Sequence, residues 1–182
     1  VNTAITSGHT FHIGTNSTPK NMYMSFNGHS IGNLIVDLTD KNSYLREDLN
    51  VLGALTIVSG TLVVDSYTAT VAGATSVSGT LKVGAGQYDA NGTFDATNGT
   101  IDFNNGNAQL LVSTPTVTSF GALDDATGTV VLDGSSVQTI NDAETFYSLK
   151  IANPSGVILN AAVDVIDIFN MDGGNIVNSN DI

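Results

Sequence analysis

The chain has 182 residues and a formal net charge of −12, because 17 acidic side chains face only five basic ones. This scarcity of bases argues against nucleic-acid binding, which depends on neutralising phosphates with Lys and Arg. The absence of cysteine excludes disulfides and thiolate metal sites. No apolar run approaches the ~20 residues of a membrane-spanning helix. Gly, Thr, Ser, Asn and Asp replace the usual helix formers, a balance typical of short strands joined by turns.

The segment 1–32 is the least regular part of the chain. Residues 9–13 and 22–26 alternate apolar and polar side chains as strands do, and residues 14–21 are rich in turn formers. We predict that residues 1–32 are a cap or docking segment at the end of a repeat region formed by residues 33–182, since an uncovered rung would expose its edge. The sequence starts without Met or a leader-like segment, so we interpret it as a processed or excised chain.

The clearest signal in the repeat region is a short recurring segment. Val-Ser-Gly-Thr-Leu occurs at residues 58–62 and again 19 residues later, at residues 77–81. A period of this length, with alternating apolar and small polar residues, predicts stacked β rungs. Gly92 and Gly99 continue the Gly-Thr-apolar pattern at a spacing of seven. That spacing is too short for a full rung, so it predicts either two successive faces of one turn or a hairpin.

Two longer internal matches follow. Residues 99–111 align with residues 128–140 at an offset of 29, which places Gln109 opposite Gln138. If their rungs are adjacent, these two residues would form an amide ladder; otherwise the alignment is a coincidence.

A still longer match covers the two ends of the repeat region. Residues 31–62 resemble residues 146–176 at an offset of 115 that falls to 114 after one deletion. The match predicts one super-repeat of about 115 residues and the start of a second.

This compound pattern resembles the β-strand-repeat regions of bacterial extracellular and surface proteins, which are commonly adhesin-like or fibre-forming. The resemblance covers residues 31–182. It implies an all-β chain folded as a single-stranded β-helix or β-solenoid with parallel stacked rungs, and it transfers no catalytic or binding residue. A β-sandwich array is the alternative, favoured if the 19-residue repeat forms hairpins.

Candidate metal ligands are sparse. His9, His12 and His29 are the three histidines, and in a strand His9 and His12 would point to opposite faces, so they are expected to be surface residues. Oxygen ligands at turns could bind Ca²⁺, although such residues also favour turns for backbone reasons. These turn residues are Asn104, Asn107, Asp133, Asp172 and Asn175. Calcium is the only cofactor that the sequence suggests, and the sequence identifies no metal, cofactor-binding or catalytic residue.

Acidic residues occur in pairs that could hydrolyse glycosides if they faced each other across a cleft. The pairs are Glu47 with Asp48, Asp124 with Asp125, Asp142 with Glu144, and Asp164 with Asp167. A polysaccharide-active β-helix enzyme is therefore one hypothesis for function, ranked third behind the two given below. The chain has no Trp and one Arg, whereas carbohydrate-degrading sites use aromatic and basic groups beside the acids, so we predict that it is not an enzyme.

The predicted function is structural. We expect an extracellular or cell-surface protein that forms part of a fibre, filament or adhesin stalk, with copies of itself as partners that join head to tail through β edges. The second hypothesis is an adhesin module that binds surface glycans or a host surface. Its contacts would be the loops at 14–21, 37–43 and 113–127, together with tyrosines. These tyrosines are Tyr23, Tyr44 and Tyr147.

Overall fold

A computed structural model describes residues 8–14, 20–104, 106–124 and 127–177. The described chain is 56% strand and has no helix, so it is all-β, and its parallel strands stack into a β-solenoid of about eight turns. This confirms the predicted fold class. The first nine strands are β1 (Thr10–Gly14), β2 (Met22–Met24), β3 (Asn33–Leu45), β4 (Leu49–Val51), β5 (Leu55–Val63), β6 (Thr68–Val71), β7 (Thr75–Val77), β8 (Thr80–Lys82) and β9 (Gln87–Ala90). The following nine are β10 (Phe94–Asp95), β11 (Thr100–Asp102), β12 (Gln109–Val112), β13 (Ala122–Asp124), β14 (Thr129–Leu132), β15 (Gln138–Ile140), β16 (Glu144–Ile151), β17 (Val157–Leu159) and β18 (Val163–Met171).

Each strand pairs in parallel with the strand one rung away. Thr61 of β5 pairs with Thr80 of β8, which pairs with Thr100 of β11. The length of one rung is therefore close to the period of the short sequence repeat. The β-sandwich alternative is wrong, because the two copies of the 19-residue repeat lie side by side in parallel and do not form hairpins.

Each turn passes through three faces. The first face contains β1, the first parts of β3 and β5, then β7, β10, β15 and β17. The second contains β2, the later parts of β3 and β5, then β8, β11, β13 and the starts of β16 and β18. The third contains β4, β6, β9, β12, β14 and the ends of β16 and β18.

Inward side chains stack on their equivalents in the next rung and form one core along the solenoid. The largest buried side chains are Tyr88, Phe94, Phe120 and Phe146. The ring centroids of Phe94 and Phe120 are 6.1 Å apart and those of Phe120 and Phe146 are 5.2 Å apart, so aromatic contacts join three consecutive turns. The Tyr88 hydroxyl lies 2.9 Å from Thr75 Oγ1. Burial raises the pKa of the Tyr88 phenol, which stays neutral.

Glycines form columns at two corners of the solenoid. Between the third and first faces, a Cβ on Gly73 would lie 2.5 Å from the Gly53 carbonyl oxygen, and a Cβ on Gly92 would lie 2.2 Å from that of Gly73. The corner between the first and second faces holds a second column: Gly60, Gly79, Gly99 and Gly121. The seven-residue spacing of Gly92 and Gly99 therefore separates successive faces of one turn, and the hairpin interpretation is wrong.

The short sequence repeat matches the rungs only in its second half. Leu62 pairs with Leu81, as the sequence predicts, but Val77 pairs with Ile57. The step from Ile57 to Val77 is longer than the step from Leu62 to Leu81, because β5 accommodates an extra residue between its two halves. As a result Val58 is 47% exposed while Val77 is 1% exposed. The identical valines in the two copies occupy different positions.

The glutamines of the 29-residue match lie on different faces. Gln109 is on β12 and pairs with Gln87, so the amide ladder with Gln138 does not form. Gln138 is 1% exposed and sits inside the first face. Its Nε2 donates to the Val112 carbonyl at 2.7 Å, and its Oε1 accepts from Asn153 Nδ2 at 3.0 Å. A buried amide cluster therefore replaces the expected ladder.

The longest internal match likewise connects different faces. Leu34 lies on the first face, where it pairs with Leu55, whereas its match Leu149 lies on the third face, where it pairs with Val130. The column of Leu34 continues from β5 through β7 and β10, and the column of Leu149 runs through β14 and β12. The match reflects a similar sequence of inward and outward positions and does not identify stacked residues.

The glycine corners generate a stability prediction. In Gly79→Ala the new Cβ would lie 2.4 Å from the Gly60 carbonyl oxygen, so we expect a loss of about 1–3 kcal/mol in the free energy of unfolding. Gly106→Ala is the control, because its nearest neighbour would be 3.6 Å away. Urea unfolding followed by circular dichroism measures both variants. Equal stability of the two would contradict close backbone contact at the corner.

Candidate functional site

The last described rung leaves the C-terminal end of the core uncovered. β18 pairs with β16 along one edge, and no strand among the described residues pairs with its other edge. Phe169 stacks on Leu149 and Met171 on Ile151. Both upper residues are 46% exposed, while the residues beneath them are at most 1% exposed. On the same strand Ile168 is 57% exposed. Leu149 and Ile151 are buried one rung below, so the exposure of Phe169 and Met171 results from the absence of a covering rung in the described part of the chain. Ile168 pairs with Ser148 and lies on the opposite side of β18 from Phe169.

The N-terminal end is partly covered. Phe11 and Phe26 meet edge to face with their ring centroids 5.4 Å apart, across the N-terminal end of the first turn. Met24 and Ile31 are buried beneath this end. Met22 on β2 stays exposed. The prediction that residues 1–32 form a cap or docking segment includes residues 1–7 and 15–19, which lie outside the described residues, and it stays a prediction.

Glu47 holds the chain that crosses the N-terminal end. Its carboxylate accepts hydrogen bonds from Ser25 Oγ at 2.9 Å, from the Phe26 amide, and from the Gly28 amide at 3.2 Å. Desolvation acts to raise the pKa of Glu47, but these hydrogen bonds outweigh it and hold the pKa below its usual value. Its neighbour Asp48 accepts from the Thr68 amide at 2.8 Å. Both acids are thus engaged by separate backbone segments.

The other acidic pairs lie at different places on the solenoid. Burial raises the pKa of Glu144, a hydrogen bond from the Phe120 amide opposes this shift, and the charge of Asp142 adds to it. Asp164 and Asp167 are exposed on β18. The remaining pair consists of Asp124, exposed on β13, and Asp125, which lies outside the described residues.

The histidines and carboxylates among the predicted metal ligands do not form a cluster. In the described part of the chain, no group of three or more His, Cys, Asp or Glu side chains could hold a metal ion. Asp133 accepts from Ser113 Oγ at 2.8 Å, and Asp172 forms an ion pair with Lys150 at 2.7 Å. These two turn carboxylates therefore have protein partners, and calcium binding stays an expectation.

Two of the three candidate tyrosines form one surface feature. The rings of Tyr23 and Tyr44 stack with centroids 5.3 Å apart, and the Arg46 guanidinium carbon lies 4.3 Å from the Tyr23 centroid. Asn42 Nδ2 donates to the Tyr44 hydroxyl at 2.9 Å. Tyr147 lies on β16, in a later turn. Sequence reasoning missed Arg46, although one rung separates the two stacked tyrosines and the repeat period could have indicated their contact.

No protein-family model, curated protein or solved structure matches the chain. Within the described ranges, no helix has the length and apolar character required to cross a membrane. The assignment of a β-solenoid therefore rests on the parallel ladder and its common core.

The raised pKa of Glu144 gives a pH-dependent prediction. A carboxyl whose pKa is higher in the folded chain contributes stability below its unfolded pKa, and this contribution is lost as the pH rises through its folded pKa. Glu144 is only partly buried, so solvent screens its charge and reduces the penalty. Glu144→Gln should therefore raise the melting temperature at pH 7 by about 1–3 °C. We expect no gain at pH 3, where the carboxyl is protonated.

The control for Glu144→Gln is Asp167→Asn, which removes one negative charge from an exposed position on β18. Thermal melts of both variants at pH 3 and pH 7 separate a local effect from general relief of charge repulsion. An equal gain for both at pH 7 would contradict a penalty specific to Glu144.

Proposed function

We propose that the protein is a structural component of an extracellular fibre or adhesin stalk in which copies of the chain join end to end through β edges. The observation that supports this most directly is β18, whose inward and outward apolar side chains are about half exposed beside a strand edge that no described strand pairs. Unpaired edges next to apolar surface are templates for further strands. Addition of another rung would pair the strand edge and cover the apolar surface beside it.

The sides of the solenoid favour end-to-end growth over lateral association. The net charge of −12 makes like-charged sides repel one another. Lys82 and Asp102 form a 2.8 Å ion pair on the second face, so some of the few bases are already neutralised. The ends of the described solenoid, by contrast, offer apolar surface and strand edges that no described strand pairs. A thin, unbranched filament is the expected product.

The apolar contact alone is not sufficient for tight association. Full burial of a large apolar side chain contributes about 1.5–3 kcal/mol, so completing the burial of two half-exposed residues, Phe169 and Met171, contributes about half of that for each. Loss of translational and rotational freedom costs about 4 kcal/mol or more. The new backbone hydrogen bonds must supply the surplus, so assembly should depend strongly on protein concentration.

The test is filament formation by the purified chain. We expect filaments in electron micrographs and concentration-dependent growth in sedimentation velocity. The double variant Phe169→Asp/Met171→Asp should raise the concentration required for filaments about tenfold or more, because it places charge on the uncovered core. Val58→Asp is the control, since Val58 is equally exposed on the side of the solenoid. Wild-type chain that stays monomeric at high concentration would contradict the proposal.

A second candidate function is binding of an acidic glycan. It is favoured by the stacked pair Tyr23 and Tyr44 beside Arg46, because an aromatic face can pack against a sugar ring and a guanidinium can pair with a carboxylate. With alginate as the probe, Tyr23→Ala or Arg46→Ala should weaken binding about tenfold, as measured by calorimetry. Tyr147→Ala is the matched control. Alginate binding that is unchanged in all three variants, or absent in the wild type, would rule out this surface as an alginate site.

A further inference from the structure

The two ends of the solenoid do not have matching outlines. The first turn places β1 on the first face, β2 on the second and Ile31, which bridges Val51, on the third. The last complete turn places β17 on the first face and β18 on the other two. Ile176 then bridges Val157 and begins a further rung on the first face. The C-terminal end of the described solenoid is therefore a step, raised by one rung on the first face.

An intact second copy cannot cover this step. If its β1 rests on the segment around Ile176, its β2 remains one rung, ~4.8 Å, too far from the edge of β18. The apolar side chains of β18 would stay exposed, and only one face of the ladder would continue. If β1 is removed from its place, the N-terminal end instead begins on the second face with β2, and the edge of β3 is free on the first face.

We infer that end-to-end joining proceeds by strand exchange: β1 of the incoming copy leaves β3, and residues 174–177 of the preceding copy take its place. β2 then meets the start of β18, and the segment around Ile31 meets the end of β18. The ladder continues on all three faces without a gap. This inference rests on the proposed function and specifies its partner, a second copy of the chain, and the surface that this copy uses.

The packing of β1 is consistent with its release. Every residue of β1 except the half-buried Ile13 is exposed, whereas Leu34 and Val36 beneath it on β3 are fully buried. Among the described strands, β1 pairs along one edge only, with β3. A strand with few buried contacts opens at low cost. The incoming segment would instead be paired on both edges, since the Val157 amide already donates to Asn175 O at 2.8 Å.

The charges of the two ends favour a second copy as the occupant. Among the described residues from 8 to 32, the acidic and basic side chains are Lys20 and three histidines, with no Asp or Glu. From 163 to 177 they are three aspartates, with no Lys or Arg. Two C-terminal ends would bring these aspartates together and repel each other, whereas a head-to-tail contact brings them to the segment that carries Lys20. The contact therefore has a fixed polarity.

A reversible lock on β1 tests the exchange. His12 and Ile35 are directly paired outward positions on β1 and β3, and opposed strand residues lie within the distance of a disulfide. The wild-type chain has no cysteine. In His12→Cys/Ile35→Cys we expect oxidation to reduce filament mass about tenfold or more, and reduction of the disulfide to restore it. The control is Thr61→Cys/Thr80→Cys, a paired position in the middle of the solenoid.

The outcomes distinguish the exchange from the fibre itself. If the oxidised lock forms filaments as well as the reduced chain does, strand exchange is overturned and end-to-end assembly stands. If the reduced lock, the control and the wild type all remain monomeric, the proposed function fails. As a direct readout, chains with Ile35→Cys are mixed with chains carrying either Asn175→Cys or Val177→Cys. Disulfide-linked dimers in one of these mixtures support the exchange, and their absence within filaments contradicts it.

Discussion

Close backbone contact at the glycine corners is the constraint on which the rest of the solenoid depends. Strands one rung apart must lie ~4.8 Å apart to form the parallel ladder. At the corner between the third and first faces, the Gly73 amide donates to the Gly53 carbonyl at 2.9 Å. A side chain there would hold the rungs apart. The strands on both sides of the corner would then lose hydrogen bonds, and their inward side chains would lose contact.

The fold class could be predicted from the sequence because its signals are local and repeated. Alternation indicates which side chains point inward, and the recurrence of Gly-Thr-Leu gives the length of a rung. Assignment to a face could not be predicted, because a period of two looks the same on every face. This is why Leu34 matches Leu149 in sequence without sharing its face. The extra residue at Val58 was also hidden, since it leaves the sequence identity intact.

The candidate site was less predictable than the fold, because it depends on neighbours one rung away. Phe169 is the same kind of inward residue as Leu149, and its exposure arises only from the lack of a covering rung. Adjacent acids suggested a catalytic pair, yet Glu47 binds Ser25 and the backbone that follows it, 22 residues earlier in the chain. Contacts between residues one rung apart determine the environment of these side chains as much as contacts between residues adjacent in the sequence do.

The buried amide of Gln138 also gives the stack a unique alignment. A core made only of Leu, Ile and Val would lose little if one segment of the ladder slipped by a complete turn, since each rung would meet another of similar shape. Slippage around Gln138 would separate its amide from the Val112 carbonyl and from Asn153, leaving polar atoms against hydrocarbon. One polar cluster can thus keep a repetitive chain from exchanging one turn for the next.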